Sequence, residues 1–383
     1  MDFPSDQWKG PGARGAFLRI AAVLLVHTFS PQNPAAELHV PAYAVPLVLR
    51  IQDPVVWSMG LSGAAHRSGS LAPLTNPAGL SDSASGELTG VHAPAQDQFL
   101  IPENRPQALN QESIAAALPF NRFVLAGQFI HYNLGSESGG PEETSDSRFV
   151  RVILMSGAGR IALKPNWALS LGLNLKRIQN RFAHKQGTGY SCDLGCRIRS
   201  LRPNRILSAG LSVFNLGPDI RYKLPLDTEH ESQMRLIRAG LAGQFIRPFQ
   251  NIPMDVLAAA DYQRTLNHAP SIFQNLEMLA VGVEMRLYSA FFLRFGGLVD
   301  LSRDRDPYSV QGFSFGAGLH FDIPFENRPP LHVTADYGRG PDIQSLNRNM
   351  ISLTLGYDLQ QADSNAYLLR GFDLRACPEA VTQ

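Results

Sequence analysis

No stretch of this sequence is apolar for long enough to cross a membrane as a helix. The longest uninterrupted apolar run, Ile20–Val26, has seven residues, against the ~20 that a helical span needs. Charge is scarce too, at 17% of residues, below the usual ~25%. The 34 basic and 33 acidic residues leave a net charge of +1, which excludes the basic excess of a nucleic-acid binder. Cysteine is nearly absent, with only Cys192, Cys196 and Cys377. Four residues apart on one strand face, Cys192 and Cys196 would have Cα atoms ~13 Å apart, beyond the ~7 Å reach of a disulfide. Three thiols without a nearby histidine cluster make a poor zinc site, so three unpaired cysteines are expected. Disorder is excluded by a hydrophobic content of 44%. The 33 glycines and 27 prolines fit many turns and close backbone packing.

What is present, from about residue 86 onward, is alternation of period two. Phe313, Phe315, Ala317, Leu319 and Phe321 share one face, against Gly312, Ser314, Gly316, Gly318 and His320. Ile351, Leu353, Leu355 and Tyr357 repeat the pattern, as do Trp167, Leu169, Leu171, Leu173 and Leu175. About fourteen such segments run near 86–92, 112–119, 122–132, 148–160, 167–178, 190–200, 206–214, 234–245, 254–262, 276–287, 291–301, 312–321, 331–337 and 350–358. Most approach the ~10-residue strand of an outer-membrane barrel. The first, fourth and ninth are the least regular. Long and short connections alternate along the chain, as expected of outer loops and periplasmic turns. A propeller would need a shared repeat of ~40–50 residues, which the sequence lacks.

The expected fold is therefore all-β, a transmembrane antiparallel up-and-down barrel of about fourteen strands over 86–358. A basic flank (Lys9, Arg14, Arg19) before the apolar block predicts a signal peptide over 1–36. Residues 45–85 are expected to form an N-terminal plug, and 359–383 a periplasmic tail. With the apolar face toward lipid, the other face lines the lumen. It carries Lys176, Arg238, Asp261, Glu284, Arg286, Arg294, Asp300 and Asp336. Many remaining inward positions are Gly, Ala or Ser, small enough to leave room for a filling. A lumen that reads as mostly small and charged speaks against an apolar channel.

No constellation supports catalysis. Gly312-Phe-Ser-Phe-Gly316 mimics a nucleophile elbow, but alternation runs straight through Ser314 where a strand-to-helix turn is required. Gly157-Ala-Gly159 mimics a dinucleotide fingerprint, but Pro165 follows and no acid lies in 176–186. Arg303-Asp-Arg-Asp306 offers too few oxygens for calcium, which wants ~6–8. The histidines show no H-x-H or H-E-x-x-H pair; His320 and His332 read as hydrogen-bonded lumen residues. No enzyme activity, cofactor or metal is expected.

Several segments together resemble the PorV/PorQ-type outer-membrane proteins, relatives of the long-chain fatty-acid transporter barrels. Met59-Gly60-Leu-Ser-Gly-Ala-Ala65 followed by Asn76-Pro77-Ala78-Gly79-Leu80 is similar to that family's N-terminal signature. Leu211-Ser-Val-Phe-Asn215-Leu-Gly217-Pro218 resembles its mid-barrel strand ending in N-x-G-P. Ala280-Val-Gly-Val-Glu284-Met with Phe292-Leu-Arg294-Phe-Gly-Gly297 resembles its G-x-E hairpin, and Ala335-Asp336-Tyr337 with Ile351–Leu355 its closing hairpin. The chain departs from the pattern at His66-Arg67-Ser-Gly-Ser70, where the family is usually acidic, and in running about 25 residues past the last strand.

The resemblance implies a non-enzymatic accessory barrel of a type IX-like secretion machine in the cell outer membrane. Its implied partners are outer-membrane lipid and lipopolysaccharide, a large translocon barrel and secreted cargo, with loops 93–111, 133–147 and 215–233 as contact surface. The alternative is a channel for hydrophobic solutes, as in the fatty-acid transporter relatives. A purely structural barrel is a third reading.

Overall fold

The computed structural model describes residues 51–95, 109–137, 146–164, 166–182, 185–202, 204–223, 228–249, 252–266, 276–301, 311–326, 328–341 and 347–358. The expected signal peptide, the C-terminal tail, Cys377 and the Arg303–Asp306 segment lie outside these residues.

Seven strands form the first half of one antiparallel sheet: β1 (Gly86–Ala95), β2 (Leu109–Phe120), β3 (Phe123–Glu137), β4 (Asp146–Lys164), β5 (Trp167–Phe182), β6 (Lys185–Arg202) and β7 (Arg205–Leu216). After two short strands, β8 (Ile220–Lys223) and β9 (Thr228–Glu231), seven more complete it. These are β10 (Leu236–Phe249), β11 (Ile252–Thr265), β12 (Glu277–Leu287), β13 (Phe291–Asp300), β14 (Gly312–Phe325), β15 (Arg328–Pro341) and β16 (Asn347–Tyr357). Within each set of seven, every strand pairs with its neighbour in sequence, β7 pairs with β10, and β1 closes on β16 with Gly86 opposite Tyr357. The result is a closed fourteen-strand barrel, and every alternating segment of the sequence falls on one of its strands.

Closure leaves none of the fourteen wall strands at an open edge, as a lipid-spanning sheet requires. The exterior is apolar: Phe313, Phe315, Leu319 and Phe321 are each about half exposed, while Ser314, Gly316, Gly318 and His320 between them are buried. At the short-turn end, Phe120, Phe123, Trp167, Tyr288, Phe291 and Phe325 are exposed next to the turns. Such an aromatic girdle marks a membrane interface. At the other end a polar row crosses the exterior, with His92 Nδ1 and Glu112 Oε1 2.7 Å apart and Arg151 Nε 3.4 Å from His131 Nδ1. From Phe120 to Glu112 the wall climbs roughly 20 Å, at ~3.3 Å per residue and a ~40° tilt. That height approaches the ~25 Å apolar band of an outer-membrane barrel, and the chain is an outer-membrane barrel.

The connections differ in part from expectation. Most of the loop expected between the fifth and sixth segments is strand, because β5 runs on to Phe182 and β6 begins at Lys185, and β15 and β16 lengthen likewise. The loop expected over 215–233 holds the β8–β9 hairpin. β8 continues the line of β7 along β6, with Gln186 opposite Lys223 and Thr188 opposite Arg221. Near the end of β7, at Asn215, which adopts φ 60°, the register against β6 shifts before the chain passes into β8. Outside the bilayer water can satisfy a projecting ladder, so strands outlast the alternation that marks the lipid-facing span.

Candidate functional site

The lumen holds residues 51–85. They make one short helix, α1 (Pro54–Ser58), and two 3-10 turns, Ala72–Leu74 and Pro77–Asp82. Asp53 caps α1 by accepting from Val55 N at 3.0 Å, and Asn76 caps the second turn by accepting from Ala78 N at 3.0 Å. Val56, Met59, Ala64, Ala65, Ala72, Ala78 and Leu80 are fully buried.

The wall receives this segment through its glycines. A methyl group on Gly172 would overlap the Pro77 backbone, on Gly210 the Ala64 carbonyl, on Gly282 Met59, and on Gly296 the Met59–Gly60 peptide. Gly60 itself has φ 68° and lies against Gly297 and the Val281 carbonyl. Lumen positions that read as empty space are thus in backbone-to-backbone contact with the plug.

Polar side chains complete the seat. Asp261 of β11 accepts from Gly63 N and Ala64 N, both at 2.8 Å. Asn76 Nδ2 donates to Ala64 O at 2.8 Å and to Cys196 O at 3.0 Å, so the Asn of Asn-Pro-Ala-Gly-Leu joins two plug turns to β6. Asn174 donates to Pro73 O, and Ser212 to Thr75 O, each at 2.9 Å. Arg160, Arg197 and Arg199 converge on Asp82, and Arg67 pairs with Asp53. Pro77 and Gly79 pack tightly, the latter against Arg67 O, and Leu80 fills a pocket with Ala117, Val124 and Ala158.

The eight charged residues expected on the lumen face all sit on inward positions, in separate groups. Arg294 donates to Glu284 Oε2 at 2.6 Å and to Asp336 Oδ1 at 2.7 Å, and Arg286 stands 3.6 Å from Glu284. Lys176 pairs with Asp193 at 2.6 Å and with Asn215 Oδ1. Arg238 donates to Gln263 Oε1 at 2.8 Å. Asp300 lies toward the outer end, opposite Met278. Asn215 also takes Asp193 Oδ1 on its backbone N–H at 2.8 Å and gives its amide to Met234 O, while Gly217 abuts Tyr190 O; Pro218 O accepts from Gln233. Tyr337 faces outward and donates to Asn349 Oδ1 at 2.8 Å.

Two features of the lumen escaped the sequence reading. The outer half is apolar on the β3–β5 side, where Ile130, Tyr132, Val150, Val152 and Ile178 face inward and are buried under Ile220 and Tyr222 of β8 and Leu74 of the plug. A neighbouring cluster sets Trp57 and Leu71 against Val91, Ala93, Ala115 and Met350. The signal was present: Val150 to Met155 is apolar on both faces apart from Arg151, which is why that segment alternates poorly. Beside this wall, Gln111 stands opposite Tyr132 and Ser113 opposite Ile130, and neither side chain has a hydrogen-bond partner among the described residues. The inner half is the reverse, a polar cavity of about 310 Å³ at the periplasmic mouth, lined by Arg67, Arg160, Arg199, Glu284, Arg294 and Asp336 among others. The second missed feature is a His320–Asp322–His332 group at that same mouth.

Ser314 lies mid-strand on β14, without the turn a nucleophile elbow needs. Cys192 and Cys196 are free thiols.

No family model matches the chain, and no curated protein matches it. Among solved structures, a Pseudomonas aeruginosa FadL homologue is 14% identical, with a TM-score of 0.46 over 80% of this chain and 98% of that one. The Ralstonia pickettii toluene transporter TbuX is 12% identical (TM-score 0.42, 79% and 97% covered). The Pseudomonas putida toluene transporter TodX is 10% identical (TM-score 0.44, 79% and 96% covered).

Proposed function

We propose that this barrel admits hydrophobic solutes across the outer membrane. The observation that carries the reading is the apolar lumen wall of Ile130, Tyr132, Val150, Val152 and Ile178. A barrel lumen that meets only water is polar, and apolar side chains there cost free energy unless something apolar covers them. At present Ile220, Tyr222 and Leu74 provide that cover. A solute entering from outside replaces β8 on this wall, with Gln111 and Ser113 beside it for a polar substituent. The plug below it closes the straight path to the periplasm.

Trp57 belongs to the neighbouring apolar cluster, and Leu74 packs against both clusters, so the fluorescence of Trp57 reports on occupancy. In a chain with Trp8 and Trp167 replaced by Phe, naphthalene is expected to quench Trp57 saturably. Ile178→Asn removes a buried side chain worth about 1.5–3 kcal/mol, so it is expected to weaken binding roughly ten- to hundredfold. Equal quenching in both chains would refute the assignment.

The secretion-accessory reading stays second. It places a translocon barrel or cargo on the outer loops, of which residues 96–108 and 138–145 lie outside the described residues. Loss of a co-purifying outer-membrane partner on deleting 220–231, with naphthalene binding intact, would favour it.

A further inference from the structure

We propose that His320, Asp322 and His332 form a zinc-class divalent-cation site at the periplasmic mouth, with Thr334 and Asp358 holding the two imidazoles. The register of one hairpin builds the group. His320 and Asp322 are two residues apart on β14 and share its inward face. His332 of β15 stands directly opposite Asp322, and Thr334 opposite His320. Gly356 of β16 pairs with His332, which brings Asp358 alongside.

The ring nitrogens divide their work as a metal site needs. His320 Nδ1 lies 2.8 Å from Thr334 Oγ1, which turns Nε2 toward Asp322 Oδ1 at 3.1 Å. His332 Nε2 lies 3.5 Å from Asp358 Oδ2, which turns Nδ1 toward the same Asp322 Oδ1 at 2.6 Å. The two imidazoles are stacked, with centroids 6.0 Å apart and planes at 20°. One nitrogen from each ring therefore converges on one carboxylate, and the other nitrogen of each has an oxygen partner. Ligating histidines characteristically give their second nitrogen to a carboxylate or another oxygen.

Ligand atoms around tetrahedral zinc lie about 3.3 Å apart, given bonds of ~2.0–2.1 Å. The three candidate ligand atoms lie within 4.8 Å of one another, so small side-chain adjustments suffice. Two imidazoles and one carboxylate suit zinc and its first-row neighbours rather than magnesium or calcium. Access is open: Asp322 is half exposed, and His332 and Asp358 line the 310 Å³ cavity. A cation here would tie β14 and β15 to the chain leaving β16, next to the seam where β16 closes on β1. It is independent of what the outer lumen admits.

The test uses the full chain, folded in detergent, stripped with EDTA and titrated with zinc chloride in a calorimeter. One zinc per chain is expected. His332→Ala is expected to lower the affinity at least about a hundredfold, and Asp358→Asn about ten- to hundredfold, the cost typical of an outer partner. Zinc should also raise the temperature at which the folded gel band converts to the unfolded one, in the parent chain and not in His332→Ala. His332→Gln, which keeps a polar group at the mouth, carries the comparison where an alanine variant does not fold. Absence of saturable binding, or equal binding by the parent and a folded His320→Ala/His332→Ala chain, would show a hydrogen-bonded cluster only and overturn the site.

Discussion

Arg294→Ala is expected to destabilise the folded barrel by about 3–5 kcal/mol, the penalty for leaving buried charge without its partner. Arg294 is 3% exposed and holds two carboxylates, Glu284 on its own hairpin and Asp336 across β14. Removing it leaves Asp336 buried without its cation and Glu284 with only Arg286 at 3.6 Å, while Arg67 is already engaged by Asp53. The urea midpoint of the lipid-reconstituted chain, followed by gel mobility, measures the loss. The triple variant Glu284→Gln/Arg294→Met/Asp336→Asn should recover most of it, because the one charge left without its partner, Arg286, is 26% exposed. A single variant as stable as the parent would mean that the trio is solvated.

The second large effect is expected at the plug seat. Gly296→Leu places a side chain where the Met59–Gly60 peptide now lies, and neither partner is a flexible side-chain tip. Overpacking of this kind costs about 1–3 kcal/mol, and the way to relieve it is to unseat the plug rather than open a hydrogen-bonded wall. The variant should keep a heat-modifiable band and pass from closed to conducting in a planar bilayer. Gly90→Leu is the control. Gly90 faces lipid with open space around its Cα, so its replacement should stay within about 0.5 kcal/mol of the parent and remain closed. Conduction by both, or by neither, would contradict the seat described here.

The wall was legible in the sequence because lipid on one side and a filled lumen on the other impose a period of two. Segments such as Gly312–Phe321 therefore carry their own register. Legibility failed where that contrast failed. Around Val150–Met155 both faces are apolar, since the lumen there is itself apolar, and the charged inward positions elsewhere hid this. The β8–β9 hairpin lies above the bilayer, where no alternation is enforced. The inward glycines gave room for a filling, but their pairing with Pro77, Ala64 and Met59 depends on a fold of the plug that no periodicity encodes. His320, Asp322 and His332 come together across a hairpin, so only the cross-strand register assembles them.

The central claim is that the outer lumen receives hydrophobic solutes. Its most direct test is uptake of a radiolabelled aromatic hydrocarbon by cells carrying the parent barrel, the Ile178→Asn barrel, or none. Faster uptake with the parent than without it, lost in Ile178→Asn at equal barrel abundance, is the predicted result. Equal uptake in all three would contradict it, and the apolar lumen wall would then be a packing surface for the β8–β9 hairpin alone.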